Sequence, residues 1–330
     1  MNWRAKKVLV TGAGGFIGSH LSEELANRGA SVRALVHYNS LNRWGHLESL
    51  PKETLRRIRV VAGDVTDPAC VREAVHGCDI VFHLAALIAI PYSYAAPSSY
   101  AQTNVLGTLN VLDACRLAKA AKLVHTSTSE VYGTARYTPI DEEHPLQGQS
   151  PYSASKIGAD QLALSFHRSF GLPVAVIRPF NAFGPRQSAR AVLPTILSQL
   201  LSGYEELSLG SLSPVRDFSY VSDTVAGFLA VAASPKSVGE VINIGSGRGI
   251  TVGEAAQAAM RVVGRKARIR KETARLRPPR SEVLRLIASN AKARRLLGWK
   301  PSVRFEDGLR LTARHIAGHL DDYKAGLYNV

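Results

Sequence analysis

The strongest constraint on this chain is a set of spaced glycines, Gly12, Gly15 and Gly18, placed between a short β-branched run and an amphipathic segment. Val8-Leu9-Val10 leads into them, and apolar residues at helical spacing follow as far as Arg28, with Gly29 as a stop. Strand, tight turn and helix in that order converge peptide N–H groups on a helix N-terminus, which favours a phosphate. The first glycine permits the turn, the second lets backbone approach a pyrophosphate, and the third lets helix and strand pack closely.

The same alternation predicts further strands near Ser31–Val36, Ile58–Ala62, Ile80–His83, Lys122–Thr126 and Val174–Ile177. Segments of helical period, such as Val105–Ala118 and Ser153–Phe170, separate them. Apolar strands alternating with helices mean a parallel sheet covered on both faces. The expected fold class is therefore α/β, a Rossmann-type doubly wound parallel sheet. Beyond Pro179 the order loosens, and strand-like pieces at Glu206–Leu209, Val215–Tyr220 and Glu240–Ile244 mix with helices. A smaller C-terminal α/β substrate-binding domain is expected there. The expected division gives 1–180 with roughly 220–245 to the dinucleotide unit, and 181–219 with 246–330 to the other.

Composition narrows the function classes. The chain has 330 residues, 45% hydrophobic and 20% charged, which reads as globular. No apolar run approaches the roughly 18 residues of a spanning helix, and the residues before Val8 form no signal-peptide core. A cytoplasmic location and no membrane partner are expected. Cys70, Cys78 and Cys115 lack metal-type spacing, which argues against a disulfide framework and a metal. The net charge of +15 admits nucleic acid, yet no aromatic residues interleave with the arginines as a stacking platform. An anionic small substrate fits better.

A carboxylate at the end of the second strand would bind an adenosine ribose hydroxyl and favour NAD. Here that strand ends Leu35-Val36-His37-Tyr38-Asn39. His37 and Arg43 suit a 2′-phosphate, while Arg43 also reads as a solvated loop residue, so NAD or NADP stays open. Asp64, followed by Val65, suits an adenine-edge contact or a helix cap.

Tyr152 and Lys156 stand four residues apart, on one face of a helix whose start is signalled by Ser150-Pro151. A nearby ammonium favours the phenolate and lets the tyrosine act as a general base. The fifth strand and its loop, His125-Thr-Ser-Thr128-Ser129-Glu130-Val-Tyr-Gly133, come just before, and Thr128 offers a hydroxyl to share the proton.

These segments, together with His83-Leu-Ala-Ala86, Thr103-Asn104-Val-Leu-Gly-Thr108, Arg178-Pro179-Phe180-Asn181 and Arg216-Asp217-Phe218, resemble the extended short-chain dehydrogenase/reductases that act on sugar nucleotides. The resemblance covers essentially the whole chain. It implies a tightly held NAD or NADP, regenerated each turnover and needing no metal. Gly12, Gly15, Phe16, Ile17, Gly18, Leu84, Ala85, Ala86, Asn104, Tyr152, Lys156 and Pro179 would contact it, with His37, Arg43, Asp64 and Val65 at the adenosine end. It also implies a nucleoside-diphosphate sugar in the second unit and a homodimer through the helices near 105–118 and 153–170.

Within the family, Glu130 is the sharpest clue. The 4,6-dehydratases resemble this chain in carrying an acid just before Val/Leu-Tyr-Gly, whereas simple 4-epimerases have a small or polar residue there. Ser129 precedes it, as in GDP-mannose 4,6-dehydratases, where dTDP-glucose dehydratases have an aspartate. UDP-glucuronate decarboxylases share much of this loop and remain an alternative, as do 4-epimerases; a non-enzymatic scaffold is disfavoured by the intact Thr128, Tyr152 and Lys156. Leu87-Ile-Ala-Ile-Pro91-Tyr-Ser93-Tyr94 and the Gly184–Ala191 segment most resemble nucleotide-diphospho-N-acetylglucosamine 4,6-dehydratases of legionaminic-acid-type pathways. An apolar wall there suits an acetamido methyl. Ser93 and Tyr94 are expected near the sugar; Asn181, Arg190, Arg216, Arg277 and Arg280 near diphosphate and ribose; and Glu282 at the nucleotide ribose.

Overall fold

A computed structural model describes residues 1–328. Seven strands form one sheet: β1 (Lys7–Thr11), β2 (Ser31–His37), β3 (Ile58–Gly63), β4 (Ile80–His83), β5 (Lys122–Thr126), β6 (Val174–Pro179) and β7 (Val241–Ile244). Their spatial order is β7-β6-β5-β4-β1-β2-β3, and every pairing is parallel. The chain winds outward in opposite directions from the β1/β4 pair, and such a reversal opens a crevice beyond the C-terminal strand ends. All residues of β4 and β6 are buried, as in strands covered on both faces, and their polar members His83 and Arg178 are bonded to Thr11 and Asp160 inside.

One face is covered by α1 (Phe16–Asn27) and by the Val221–Ala233 helix, the other by α2 (Gly107–Leu117) and α3 (Pro151–Phe170). The start of α3 is written in its sequence. Ser150 and Ser153 exchange side-chain to backbone bonds at 3.1 and 3.0 Å, Pro151 occupies the first turn, and Gly171 ends the helix at φ +66°. The helix expected over Val105–Ala118 divides: Ala101–Leu106 is π-helical and α2 begins at Gly107, where the backbone packs on Val65.

The second unit gathers helices Val192–Leu201, Val252–Val263 and Phe305–Ala317 around their own apolar cluster. Glu206–Leu209 pairs with Arg268–Lys271, and Val215–Asp217 with Gly249–Thr251. The single strand expected over Val215–Tyr220 breaks at Phe218, whose buried ring joins that cluster; Ser219–Tyr220 pairs instead with Ala182–Phe183.

Ala293 and Trp299, assigned by sequence to the second unit, pack in the core beneath the sheet. The Trp299 indole donates to the Asp223 carbonyl at 3.0 Å, and the Asp223 carboxylate accepts from Ser302 and Val303 N–H, both at 3.0 Å. A buried polar anchor of this kind returns the chain to the first unit before it leaves again. Among the described residues, no helix is long and apolar enough to cross a membrane.

Candidate active site

A cavity of about 760 Å3 lies at the C-terminal ends of the strands, running from the glycine turn to the second unit. Gly12 sits at φ +67°, and a Cβ on it would stand 2.8 Å from the Ala85 nitrogen; a Cβ on Gly18 would collide with the Gly12 carbonyl. Both positions therefore demand glycine. No side chain caps α1, and Phe16, Ile17 and Gly18 of its first turn line the cavity. Uncapped helix N–H groups facing a cleft suit a phosphate.

At the neighbouring end, His37, Asn39, Arg43 and Trp44 line the same cavity. The Asn39 side chain organises the loop by accepting from Arg43 N at 3.1 Å and donating to the Arg43 carbonyl at 2.8 Å, while His46 N donates to the Gly14 carbonyl at 2.9 Å. The loop is thereby locked onto the glycine turn. The Arg43 guanidinium pairs with Glu48 at 3.2 Å on the exposed surface.

The other end holds the proton-handling groups. Thr128, Ser129, Glu130, Tyr152 and Lys156 all line the cavity. The Thr128 hydroxyl accepts from Glu130 N at 3.2 Å and caps the one-turn helix Ser129–Tyr132. Among the described residues no group hydrogen-bonds the Glu130 carboxylate, so it does not serve as a backbone cap. Burial pushes the Tyr152 phenol up, a hydrogen bond with the Thr128 hydroxyl pulls it back, and the Glu130 charge pushes it further up. Burial pulls the Lys156 amine down to about 8, against the opposing charge of Asp160.

Of the residues singled out by sequence, Leu84, Ala85, Ala86, Pro179, Asn181, Arg190 and Arg277 also line the cavity. The Asn181 side-chain oxygen is buried with no hydrogen-bond partner among the described residues, as an acceptor reserved for a ligand would be.

Others are placed elsewhere. Ser93 is fully buried and spends its hydroxyl on the Ile90 carbonyl at 2.7 Å, one turn back in its own helix. Tyr94 pairs its hydroxyl with that of Ser281 at 2.6 Å, tying the first unit to the segment around Arg280. Asp64 accepts from Thr66 N at 2.8 Å and lies 3.6 Å from the His37 ring, while Asp67 is the actual helix cap; Val65 is core. Asn104 is buried and brackets the backbone of Leu87 at 2.8 and 2.9 Å, so it shapes the cleft wall without facing it. Arg216, Arg280 and Glu282 are not lining residues either. The Glu282 carboxylate is 3.3 Å from Arg216 and 3.7 Å from Arg277, and Gln149 holds the Arg280 carbonyl at 3.0 Å.

Sequence reasoning passed over Asn39, Trp44, Ser127, Gln187, Ser188 and Tyr328, which all line the cavity. Gln187 and Ser188 lay inside the Gly184–Ala191 segment already singled out. Tyr328 carried no local signal: it reaches the cleft from the far end of the chain, its ring stacked on the Arg275 guanidinium at 4.7 Å.

Comparison with known proteins agrees with this geometry. Residues 9–312 match the family described as GDP-mannose 4,6 dehydratase. A dTDP-glucose 4,6-dehydratase of an Actinoplanes species is 34% identical over 312 residues, covering 93% of this chain and 96% of the relative. A UDP-glucose 4-epimerase of Mycolicibacterium smegmatis is 33% identical, covering 93% and 97%. The structure of the dTDP-glucose 4,6-dehydratase DesIV of Streptomyces venezuelae, solved with NAD bound, superposes with a TM-score of 0.85 at 32% identity, covering 96% of this chain and 99% of that one.

Proposed function

The chain belongs to the NAD-dependent epimerase/dehydratase family, in the group described as GDP-mannose 4,6 dehydratase, and from that premise we propose that it is a sugar-nucleotide 4,6-dehydratase. Its substrate in this reading is UDP- or GDP-N-acetylglucosamine. The observation that carries the proposal is Glu130, a carboxylate with no hydrogen-bond partner among the described residues that lines the same cavity as Tyr152. The apolar wall of Ile88, Ala89, Ile90 and Pro91 supports an acetamido sugar, whose methyl would rest there.

The residues present fit a nicotinamide dinucleotide, whose pyrophosphate the uncapped turn of α1 would hold and whose nicotinamide end would lie toward Lys156; the chemistry it would supply is reversible hydride acceptance, from sugar C4 and back to C6. Tyr152 takes the O4 proton as C4 is oxidised, with Thr128 sharing the hydrogen bond. The resulting ketone acidifies the C5 hydrogen, and Glu130 removes it. The C6–O bond then breaks, and Glu130 gives its proton to the departing hydroxyl, because Ser129 is a poor acid. C5 regains a proton and Tyr152 releases the one it took, leaving a 4-keto-6-deoxy sugar, one water and both groups as they began. Asn181, Arg190 and Arg277 would hold the diphosphate, with Arg216 behind them.

His37 and Arg43 at the adenosine end are compatible with NADP as well as NAD. A homodimer is part of the same proposal, supported by Leu106, Leu117 and Phe170, which stand exposed on the segments leading through α2 and α3. Light scattering should then give about twice the chain mass of 35.6 kDa.

The deciding experiment incubates the purified protein with UDP- and GDP-N-acetylglucosamine, GDP-mannose and UDP-glucuronate and weighs the products. Loss of water supports dehydration. Loss of carbon dioxide from the glucuronate, or a product of unchanged mass with inverted C4, would give the assignment to a decarboxylase or an epimerase, the reading favoured by the M. smegmatis relative.

A further inference from the structure

Behind the cleft lies a closed polar cluster that the proposed reaction leaves unused. Asp160 sits on α3, one turn beyond Lys156 and two beyond Tyr152, and is fully buried. One carboxylate oxygen accepts from the Ser127 hydroxyl at 2.7 Å and from the Arg178 Nη2 and Nε at 2.9 and 3.2 Å; the other lies 3.2 Å from His125 Nε2. His125 belongs to β5, Ser127 follows its end, and Arg178 belongs to β6. A single carboxylate thus ties the helix bearing Tyr152 and Lys156 to the two strands whose ends bear Thr128, Glu130 and Asn181. Arg178 extends the tie: its Nη1 donates to the Tyr132 hydroxyl at 2.9 Å, which donates to Asn243 on β7 at 2.8 Å.

We propose that Asp160 is a positioning residue: by tying α3 to the ends of β5 and β6 it fixes Lys156, one turn back on the same helix, relative to the Ser127–Glu130 loop, and its charge favours the Lys156 ammonium. The proposal rests on the reading of Tyr152 and Lys156 as the proton-handling pair.

The charge inventory supports it. The groups facing Asp160 are Lys156 from α3, His125 from β5 and Arg178 from β6; His83 of β4 stands behind His125 at 5.7 Å between ring centroids, and Tyr132 and Tyr152 complete the shell. Burial lowers both His125 and His83, which keeps those rings neutral. Arg178 therefore pairs with Asp160 directly at 2.9 Å, and Lys156 feels the same negative charge from one helical turn away. Removing its charge leaves two buried cations, and the ammonium can shed a proton where the guanidinium cannot.

The test uses the full-length protein with lysine labelled at Cε, the Lys156 signal being assigned with K156M, and follows its titration by NMR. D160N should lower the Lys156 midpoint by about one unit or more. It should also cut kcat at pH 8 by about tenfold or more, with KM for the nucleotide sugar nearly unchanged. D160E, which keeps the charge but displaces it, should preserve the midpoint while lowering kcat. A folded D160N whose Lys156 midpoint matches the wild type would overturn the proposal. If D160N does not accumulate folded, S127A reads the same arrangement. It removes one tie and no charge, so an unshifted midpoint with severalfold lower kcat supports the positioning role, and wild-type kcat overturns it. The titration needs no substrate, so its failure is distinguishable from an error in the assigned reaction.

Discussion

The Thr128 hydroxyl accepts a hydrogen bond from the backbone N–H of Glu130 at 3.2 Å, so the residue beside the reacting phenol also caps the turn that presents the carboxylate. Two candidate catalytic groups are thereby set by one side chain. T128S keeps the oxygen and should retain activity within about threefold, whereas T128V removes it and should lower kcat by roughly 10- to 100-fold. Steady-state kinetics on both variants check this. Equal rates for T128V and T128S would show that neither the cap nor the shared proton matters.

Glu130 separates elimination from oxidation. E130Q is nearly isosteric and cannot take the C5 proton, so water loss should slow by about 10²- to 10⁴-fold. Oxidation at C4 should persist. Mixing E130Q with substrate should build up reduced cofactor absorbance near 340 nm without the mass change of dehydration. Native-rate formation of the 4-keto-6-deoxy product would remove Glu130 from the mechanism.

Lys156 sets an alkaline limit. Its amine is held down to about 8 by burial, against an ordinary value of 10.5, so the ammonium dominates below about pH 8 and is lost as pH rises through it. A reaction that depends on that charge falls with rising pH in this window. A kcat profile measured from pH 6 to 10 should show its alkaline limb near 8. A limb near the ordinary lysine value would show that Lys156 is not buried in the working enzyme.

Arg216 is paired with Glu282 at 3.3 Å and almost fully buried, next to the charge of Glu130. If its guanidinium also serves the diphosphate, R216A should raise KM about 10- to 100-fold with a smaller change in kcat, and calorimetry should show the same loss for the free nucleoside diphosphate. R216K should recover only part, because an ammonium cannot reproduce the guanidinium fork. An unchanged nucleotide affinity would assign Arg216 to the pair with Glu282 alone.

Much of this was legible in local sequence because local chemistry caused it. The runs Val8-Leu9-Val10 and Ile80-Val81-Phe82 are buried strands since nothing in them tolerates water, and Ser150-Pro151 announces α3 through bonds made within one turn. Gly12 and Gly18 were readable because no other residue fits there. What local sequence concealed was how polar groups are spent. Ser93 satisfies its own helix, Asn104 the backbone of Leu87, and Glu282 two arginines. Each choice depends on partners brought close only by the fold. Trp44 and Tyr328 reach the cleft for the same reason, one through a loop locked on Gly14 and the other from the end of the chain.

The return of Trp299 to the core beneath the sheet bears on how the protein is made. β7 adds the last strand to a sheet begun at Lys7 and Trp299 fills the core beneath it, so a ribosome must translate as far as residue 299 before that core can close. At roughly 5–20 residues per second, the nascent glycine turn and strands β1 to β6 wait for many seconds with β6 as an open edge. A premature stop before codon 299 would leave that edge uncovered or its underlying core unfilled. Such a fragment would be a substrate for chaperones and proteases in place of a smaller working protein.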